Sequence, residues 1–285
     1  MKTKNLKDLS IKPSGRSTDF ILPSLIFGCG YQCLYCYCKR HVNDGIIISE
    51  NISQILSEVN AHAYFADVIK PNQTHPEYIT YDIGCNSDMA LHLKHYPWQT
   101  VFDFFKEHPI AMGSFATKYV NQKLLTYNPE KKIRIRFSLM PEKYRMILEP
   151  KTSTISQRIS AINYFVKAGY DVHVNFSPVI VTKEWLKEYE DLFKHLELSV
   201  NPAIKKDVLA EVIFLTHNEK KHEVNLQVDP IGESLLWNPK IQERKISQYG
   251  GENIRYARGF KKERIEEFIE LHDSIIPWNT IRYIF

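Results

Sequence analysis

The sequence has no long hydrophobic run, repeat or low-complexity tract. Apolar stretches among its 285 residues are only a few residues long, which excludes a membrane-spanning helix because such a helix needs about 20 apolar residues. The charged N-terminal stretch MKTKNLKDLSIKPSGR has no apolar core behind it, so no secretory signal is expected. These absences predict a soluble, cytoplasmic protein with one core and no membrane contact.

Cysteine is scarce and unevenly placed. The chain has five cysteines, and four of them lie between residues 29 and 38. An odd, clustered set fits a disulfide framework poorly and fits metal or redox chemistry in a reducing compartment better. The net charge of +4 is compatible with a polyanionic partner without requiring one.

Strand-like and helix-like segments alternate along most of the chain. Strands are predicted at residues 19–29, 76–85, 109–117, 131–140, 171–181 and 210–216. Helices are predicted at residues 49–66, 96–108, 153–170 and 183–196. A further helix at residues 261–276 and a last short strand at residues 280–285 are predicted near the C-terminal end. Such alternation predicts parallel strands joined by right-handed crossovers. The expected fold class is α/β, a partial (β/α)6 TIM-type barrel with a small C-terminal extension.

The strand at residues 131–140 alternates strictly in polarity. Arg134, Arg136 and Ser138 share one face, which favours a barrel with a wet lumen over a sheet buried on both faces. Residues 1–18 are predicted to form an N-terminal arm and residues 19–220 the barrel. Residues 221–285 are predicted to form an extension packed on the barrel.

Three of the clustered cysteines have a spacing that suits an iron–sulfur cluster. Cys29, Cys33 and Cys36 form Cys-x3-Cys-x2-Cys within FGCGYQCLYCYCKRH. Three thiolates on one loop can bind three irons of a 4Fe–4S cluster and leave the fourth iron open to a substrate or cofactor. Cys29 and Cys85 both end predicted strands, and barrel active sites lie at the C-terminal ends of the strands.

A zinc site is the alternative interpretation of the same loop. Structural zinc takes four ligands, and Cys38 and His41 could complete such a set. The corresponding alternative to an enzyme is a non-catalytic, metal-bearing protein that binds nucleic acid. A brown, oxygen-sensitive protein with a 4Fe–4S spectrum would exclude zinc.

The cysteine spacing, with Tyr35 directly before the last cysteine, resembles the radical S-adenosylmethionine superfamily. Further segments resemble the spore photoproduct lyase family, and they are LYCYC, CNSD, EPKTSTISQRISAINYFVKAGY, SPVIV, SQYGGENIRY and IRYIF. The resemblance extends over residues 20–285. It implies a 4Fe–4S cluster and S-adenosylmethionine as cofactors, whose reductive cleavage gives a 5′-deoxyadenosyl radical. It also implies an electron donor such as flavodoxin or ferredoxin.

This resemblance assigns roles to individual residues. The cluster ligands would be Cys29, Cys33 and Cys36. The catalytic residues would be the hydrogen donor Cys85 and two tyrosines that return hydrogen to the cofactor, Tyr35 and Tyr37. The residues that hold S-adenosylmethionine would be Ser87, Lys118 and Ser138. Tyr249 would contact the substrate.

The family substrate is 5-thyminyl-5,6-dihydrothymine, a thymine dimer in DNA. The implied reaction removes hydrogen from C6 of the lesion, breaks the linking carbon–carbon bond, and ends when Cys85 donates hydrogen to the thymine radical. A thiol suits that last step because its S–H bond is weak. A radical enzyme that acts on another nucleobase, in DNA modification, is the alternative, since Cys85 predicts hydrogen donation without choosing the acceptor.

Overall fold

The structure, a computed structural model, describes residues 2–36, 38, 45–65, 69–246 and 250–285. Three residues singled out from the sequence, His41, Tyr37 and Tyr249, lie outside these ranges. The chain divides into two compact units. The first unit comprises residues 1–30, 37–137 and 161–173, and the second comprises residues 31–36, 138–160 and 174–285. The predicted domain boundaries at residues 18 and 220 stay predictions.

Short strands dominate the first half of the chain and helices the second. The strands are β1 (Lys2–Lys4), β2 (Lys12–Pro13), β3 (Phe20–Ile21), β4 (Ile26–Phe27), β5 (Ile47–Ser49), β6 (Ile79–Asp82), β7 (Ala111–Thr117), β8 (Ile133–Leu139), β9 (Asp171–Val179), β10 (Ala210–Phe214), β11 (Thr216–His217), β12 (Gln242–Ile246), β13 (Glu252–Tyr256) and β14 (Ile281–Ile284). The helices are α1 (Ile52–Tyr64), α2 (Trp98–Glu107), α3 (Glu142–Leu148), α4 (Ile155–Lys167), α5 (Trp185–Ser199), α6 (Glu219–Val228), α7 (Pro230–Leu236) and α8 (Arg258–Ile275). The helices predicted from the sequence correspond to α1, α2, α4, α5 and α8, and all five are confirmed, as is the last predicted strand, β14. None of the described helices is both long and apolar enough to cross a membrane.

The first unit is built on parallel strands. In its larger sheet the neighbours follow the order β2-β3-β6-β7-β8, and every pair from β3 onwards is parallel. In a smaller sheet β5 lies between β1 and β4. Parallel pairing places the carboxyl ends of β6 and β7 at the same edge, where the next residues along the chain, including Cys85 and Lys118, follow.

The first predicted strand, residues 19–29, was wrong as a single element. It forms two short strands in different sheets, because β3 pairs with β6 whereas β4 pairs with β5. Pro23 lies between them and has no backbone N–H with which to continue a ladder. The last bond to β6 is donated by Leu22 N–H to the Asp82 carbonyl at 3.2 Å. Cys29 still follows the end of a strand, which is β4.

The polar face of β8 is buried, so the predicted wet lumen was wrong for its two arginines. Every residue of β8 is buried, and the Arg134 and Arg136 side chains are only 2% and 3% exposed. Ion pairs replace water as their partners. Arg134 Nε lies 2.6 Å from Asp171 Oδ2, and Arg136 Nη2 lies 3.0 Å from Asp82 Oδ2. Alternation in the sequence cannot distinguish a solvated polar face from a paired one.

The second unit combines parallel strands with an aromatic core. The central strand β10 pairs with β9 and β14, both in parallel, so the last strand of the chain extends this sheet. A separate antiparallel sheet has the order β11-β13-β12. Helices α5 and α8 pack together through Phe193 and Phe268, whose ring centroids are 5.4 Å apart.

Helix α4 begins and ends as its sequence predicts. Thr154 N–H donates to Gln157 Oε1 at 2.9 Å, and Gln157 N–H donates to Thr154 Oγ1 at 3.2 Å, which is a capping box. After the helix, Gly169 has a φ of +89°, a left-handed conformation that glycine adopts without strain.

Gly113 gives a test of packing in the first unit. A Cβ at this position would lie 2.8 Å from Ile133 Cδ1 and 3.1 Å from Phe105 Cδ2. We expect Gly113→Ala to lower the free energy of unfolding by about 1–3 kcal/mol because it overpacks the core. Urea denaturation followed by circular dichroism measures the change. Gly15→Ala is the control, since nothing lies within 4 Å of its Cβ, and equal midpoints for the two variants would contradict the packing.

Candidate active site

The turn that carries Cys85 begins where β6 ends. Asp82 Oδ1 accepts a hydrogen bond from Gly84 N–H at 2.8 Å. A Cβ on Gly84 would lie 2.7 Å from Phe115 Cβ, so the chain can pass β7 this closely only with glycine here. Asn86 follows with a φ of +66°, a left-handed conformation that asparagine tolerates better than most residues. Between these two positions lies Cys85, which is half-buried and forms no disulfide.

Two hydrogen bonds join this turn to the residue before Cys29. Gly28 N–H donates to the Asn86 carbonyl at 3.0 Å, and Ser87 Oγ donates to the Gly28 carbonyl at 2.7 Å. Gly28 has a φ of +83°, and a Cβ on it would lie 2.8 Å from a backbone oxygen. The start of the cysteine motif and the turn that carries Cys85 and Ser87 are therefore held side by side.

Asp88 ties the same turn to the end of β7. Its Oδ2 accepts from Lys118 N–H at 2.8 Å, and its Oδ1 accepts from Thr117 Oγ1 at 2.7 Å. Burial raises the pKa of Asp88, and the hydrogen bonds from Lys118 and Thr117 partly offset that rise. Four residues named from the sequence, Cys29, Cys85, Ser87 and Lys118, thus belong to one hydrogen-bonded group of loops. Sequence reasoning gave Asp88 no role, although it is the last letter of the CNSD motif.

In the second unit, the segment that contains Cys33 and Cys36 is held through its backbone. Cys36 N–H donates to the Cys33 carbonyl at 3.1 Å. Leu34 N–H donates to the Leu148 carbonyl at 3.0 Å, and the Leu34 carbonyl accepts from Asn225 Nδ2 at 3.0 Å. These bonds fix the backbone of the segment without using the cysteine side chains.

Tyr35 donates its hydroxyl hydrogen to a buried ion pair. Its acceptor is Glu149 Oε1, and Arg158 Nη2 donates to the other carboxylate oxygen at 2.7 Å. Both Glu149 and Arg158 are fully buried. Tyr35 as a whole is half-buried, and the burial of its hydroxyl, together with the Glu149 carboxylate, raises its pKa well above the usual value. Tyr35 is therefore a neutral phenol at physiological pH.

Ser138 lies beside this ion pair. Its carbonyl accepts a hydrogen bond from Arg158 Nη1 at 2.8 Å, and its side chain is buried. The EPKTSTISQR stretch carries part of the family likeness, but sequence reasoning assigned no role to Glu149 or Arg158. The sequence shows a glutamate nine residues before an arginine near a helix start. It does not show that the two side chains pair, because that depends on the tertiary fold.

The chemistry of the cysteines fits an iron–sulfur cluster. None of the five cysteines forms a disulfide, and thiolate sulfur is the ligand that such clusters take. Cys29 and Cys36 are half-buried and Cys33 is buried. Across the described ranges, no three histidine, cysteine, aspartate or glutamate side chains form a ready-made metal site. Ligation by these three cysteines therefore stays a prediction.

The chain is similar to spore photoproduct lyases over nearly its whole length. The family model for spore photoproduct lyase matches residues 3–285. The spore photoproduct lyase of Bacillus subtilis (strain 168) is 26% identical over 288 residues, which cover 98% of this chain and 79% of that protein. The spore photoproduct lyase of Clostridium acetobutylicum is 23% identical over 283 residues, which cover 98% of this chain and 80% of that protein.

Solved structures of spore photoproduct lyases share the fold. A mutant with bound AdoMet and dinucleoside spore photoproduct has a TM-score of 0.86 at 20% identity, over 100% of this chain and 82% of that one. A complex with dinucleoside spore photoproduct has a TM-score of 0.87 at 21% identity, over 99% of this chain and 82% of that one. The predicted fold class, a mixed α/β partial TIM-type barrel, is confirmed.

Glu149→Gln tests the buried ion pair that holds Tyr35. Loss of the carboxylate charge leaves Arg158 buried without its counter-charge, and we expect the free energy of unfolding to fall by about 3–5 kcal/mol. Urea denaturation measures the change. The control is Glu190→Gln, because Glu190 pairs with lysines at the surface and such pairs contribute little. A Glu149→Gln protein as stable as the control would show that the pair is not needed.

Proposed function

The chain belongs to the spore photoproduct lyase family, and we propose that Cys85 is its hydrogen donor in the repair of 5-thyminyl-5,6-dihydrothymine in DNA. As a member of this family it is a radical S-adenosylmethionine lyase, with a 4Fe–4S cluster and S-adenosylmethionine as cofactors. The observation that supports the residue assignment is the pair of hydrogen bonds between Gly28 and the Asn86–Ser87 stretch. These bonds hold Cys29, a proposed cluster ligand, and the proposed donor in one group of loops.

Two sets of side chains would receive the cofactors. The proposed cluster ligands are Cys29, Cys33 and Cys36. The proposed ligands of S-adenosylmethionine are Ser87, Lys118 and Ser138. When bound, the two cofactors together supply the radical that removes hydrogen from C6 of the lesion. The chain's own side chains carry out the later steps at the substrate.

Cys85 completes the repair. After the carbon–carbon bond between the two thymines has broken, the unpaired electron lies on one thymine. The Cys85 S–H bond breaks homolytically, its hydrogen atom forms a C–H bond on that thymine, and the unpaired electron is left on sulfur. The half-buried position of Cys85 is consistent with this task, since the thiol must reach the substrate while bulk water and other hydrogen donors are kept away.

Tyr35 would take part in returning hydrogen to the cofactor. Its raised pKa keeps the phenol protonated, so the transferable hydrogen is present. The Glu149 carboxylate fixes the direction of that O–H bond. Tyr37 is proposed as the second tyrosine of this relay and Tyr249 as a substrate contact, on the family resemblance alone.

DNA that carries the lesion is the proposed macromolecular substrate. A lesion inside a duplex must leave the base stack to reach a barrel mouth, and damaged bases do so at a lower cost than intact pairs. A flavodoxin or a ferredoxin is the proposed source of the electron, consistent with the reducing compartment that the cysteine usage predicts. The solved complexes of related lyases with dinucleoside spore photoproduct support a dinucleotide as a sufficient probe.

Cys85→Ala tests the donor assignment. The reconstituted protein, with dithionite, S-adenosylmethionine and the dinucleotide spore photoproduct, is expected to yield thymidylyl-thymidine and 5′-deoxyadenosine by mass spectrometry under anaerobic conditions. In Cys85→Ala we expect repaired dinucleotide to fall by at least about tenfold, equivalent to about 1.4 kcal/mol in barrier height. Formation of 5′-deoxyadenosine should continue, because the cofactor-binding residues are unchanged.

Cys38→Ala is the matched control, since Cys38 lies outside the Cys-x3-Cys-x2-Cys motif. The repair yield of this variant should match that of the wild type. An undiminished yield in Cys85→Ala would contradict the donor role. Cofactor cleavage without any repair by the wild type would point to a different nucleobase substrate.

Replacement of a proposed ligand tests the metal centre. We expect Cys33→Ala to lose the 4Fe–4S absorbance and most of the iron after anaerobic reconstitution, because the cluster loses one of its thiolate ligands. Iron analysis and visible spectroscopy measure both. Cys38→Ala should keep the iron. Stoichiometric zinc that disappears in both variants would instead establish the four-ligand zinc site.

A further inference from the structure

An ion pair beside the Cys85 turn has no part in the proposed reaction. Asp82, the last residue of β6, lies with its Oδ2 3.0 Å from Arg136 Nη2 on β8. The two side chains are 20% and 3% exposed. A charge buried this deeply is retained only with a partner, so the arginine fixes where the carboxylate can lie.

The second oxygen of Asp82 is committed to the turn itself. Asp82 Oδ1 accepts from Gly84 N–H at 2.8 Å, and this bond closes an Asx turn. Gly84 is bonded directly to Cys85. The carboxylate thus joins the arginine of one strand to the peptide group of the residue before the proposed donor.

The chain on the other side of Cys85 is fixed independently. The Asn86 carbonyl accepts from Gly28 N–H, and Asn86 Nδ2 donates to Ser24 Oγ at 2.6 Å. Cys85 therefore lies between two anchored residues, Gly84 and Asn86. One anchor depends on Asp82 and the other on the backbone at Gly28.

We infer that Asp82 and Arg136 are positioning residues that set the place of the Cys85 thiol relative to the substrate radical. This inference rests on the proposed function of Cys85. Hydrogen transfer from sulfur to carbon needs near contact of the two atoms, and misplacement by about 1 Å can cost about a hundredfold in rate. Loss of the Asp82 anchor leaves the cofactor-binding residues unchanged. It therefore lowers repair per cofactor cleaved rather than cofactor cleavage.

Two substitutions at Asp82 separate positioning from plain stabilisation. Both Asp82→Asn and Asp82→Ala remove the negative charge that faces Arg136. Only the asparagine keeps an oxygen that can accept from Gly84 N–H. A purely structural role predicts equal losses in both variants, whereas positioning predicts that asparagine rescues what alanine loses.

The chain offers a matched control in the first unit. Arg134 on β8 pairs with Asp171, and these side chains are 2% and 19% exposed, almost the same as in the Arg136–Asp82 pair. The Asp171 carboxylate makes no contact with the Cys85 turn among the described hydrogen bonds. Asp171→Ala therefore reproduces the loss of a buried ion pair without the loss of the anchor.

Three readouts are compared in the full-length reconstituted protein. The first is the ratio of thymidylyl-thymidine to 5′-deoxyadenosine. The second is the hydrogen–deuterium exchange rate of the Gly84 amide, resolved by fragmentation mass spectrometry. The third is the rate at which iodoacetamide alkylates Cys85, measured without substrate.

In Asp82→Ala we expect the product ratio to fall about tenfold and the Gly84 amide to exchange about tenfold faster. The alkylation rate should change with them. Asp82→Asn and Asp171→Ala also lose a buried ion pair but keep an acceptor for Gly84 N–H, so their losses should be at least about threefold smaller than those of Asp82→Ala in all three readouts.

Equal losses in Asp82→Asn and Asp82→Ala would overturn the inference, as would a product ratio in Asp171→Ala as low as in Asp82→Ala. Unchanged Gly84 exchange and Cys85 alkylation in Asp82→Ala would overturn it whatever the substrate. A wild type that repairs nothing, while Gly84 exchange still separates the two Asp82 variants, contradicts the proposed function alone. If Asp82→Ala does not fold, the exchange of the Gly84 amide is compared between Arg136→Met and Arg136→Lys. Faster exchange is expected only in the methionine variant, because lysine keeps the positive charge that faces Asp82.

Discussion

The hydrogen bond from Gly28 N–H to the Asn86 carbonyl holds the first unit's part of the site together. With the return bond from Ser87 Oγ to the Gly28 carbonyl, it joins two loops that are 59 residues apart in the chain. Both Gly28 and Asn86 have positive φ, so the contact depends on residue types that accept this conformation. The bond holds the loop of Cys29, a predicted cluster ligand, beside the turn that carries Cys85.

Buried charges surround the functional stretches in both units. The Glu149–Arg158 pair accepts a hydrogen bond from Tyr35. The Asp82–Arg136 pair accepts one from Gly84, the residue before Cys85. Asp88, which follows Ser87, accepts one from the backbone of Lys118. Ion pairs of this kind contribute little to net stability because desolvation offsets their attraction. Their directional hydrogen bonds, however, hold a peptide group or a hydroxyl in one place. That property suits a radical reaction, in which the distance between hydrogen donor and acceptor decides the product.

Sequence patterns predicted the parts of this molecule that are local. The capping box of Thr154 and Gln157 follows from four adjacent residues, and the fold class follows from repeated alternation. The split of residues 19–29 was signalled by Pro23, but strand composition outweighed it. Partners set by tertiary structure were beyond reach. The alternation in β8 showed that Arg134 and Arg136 share a face, but their carboxylate partners come from strands distant in the chain. The bonds from Thr117 and Lys118 to Asp88 and from Tyr35 to Glu149 likewise join residues distant in the chain.

The contacts of Leu34 bear on the order of events during synthesis. Its N–H donates to the Leu148 carbonyl, and its carbonyl accepts from Asn225, which lies 191 residues further along the chain. Contacts of such long range form late, because a large loop must close first. The segment with Cys33 and Cys36 is thus translated early and gains its native contacts late. Its thiols stay open to oxidants, and equally to iron and sulfide delivery, for most of the time that the ribosome spends on this chain.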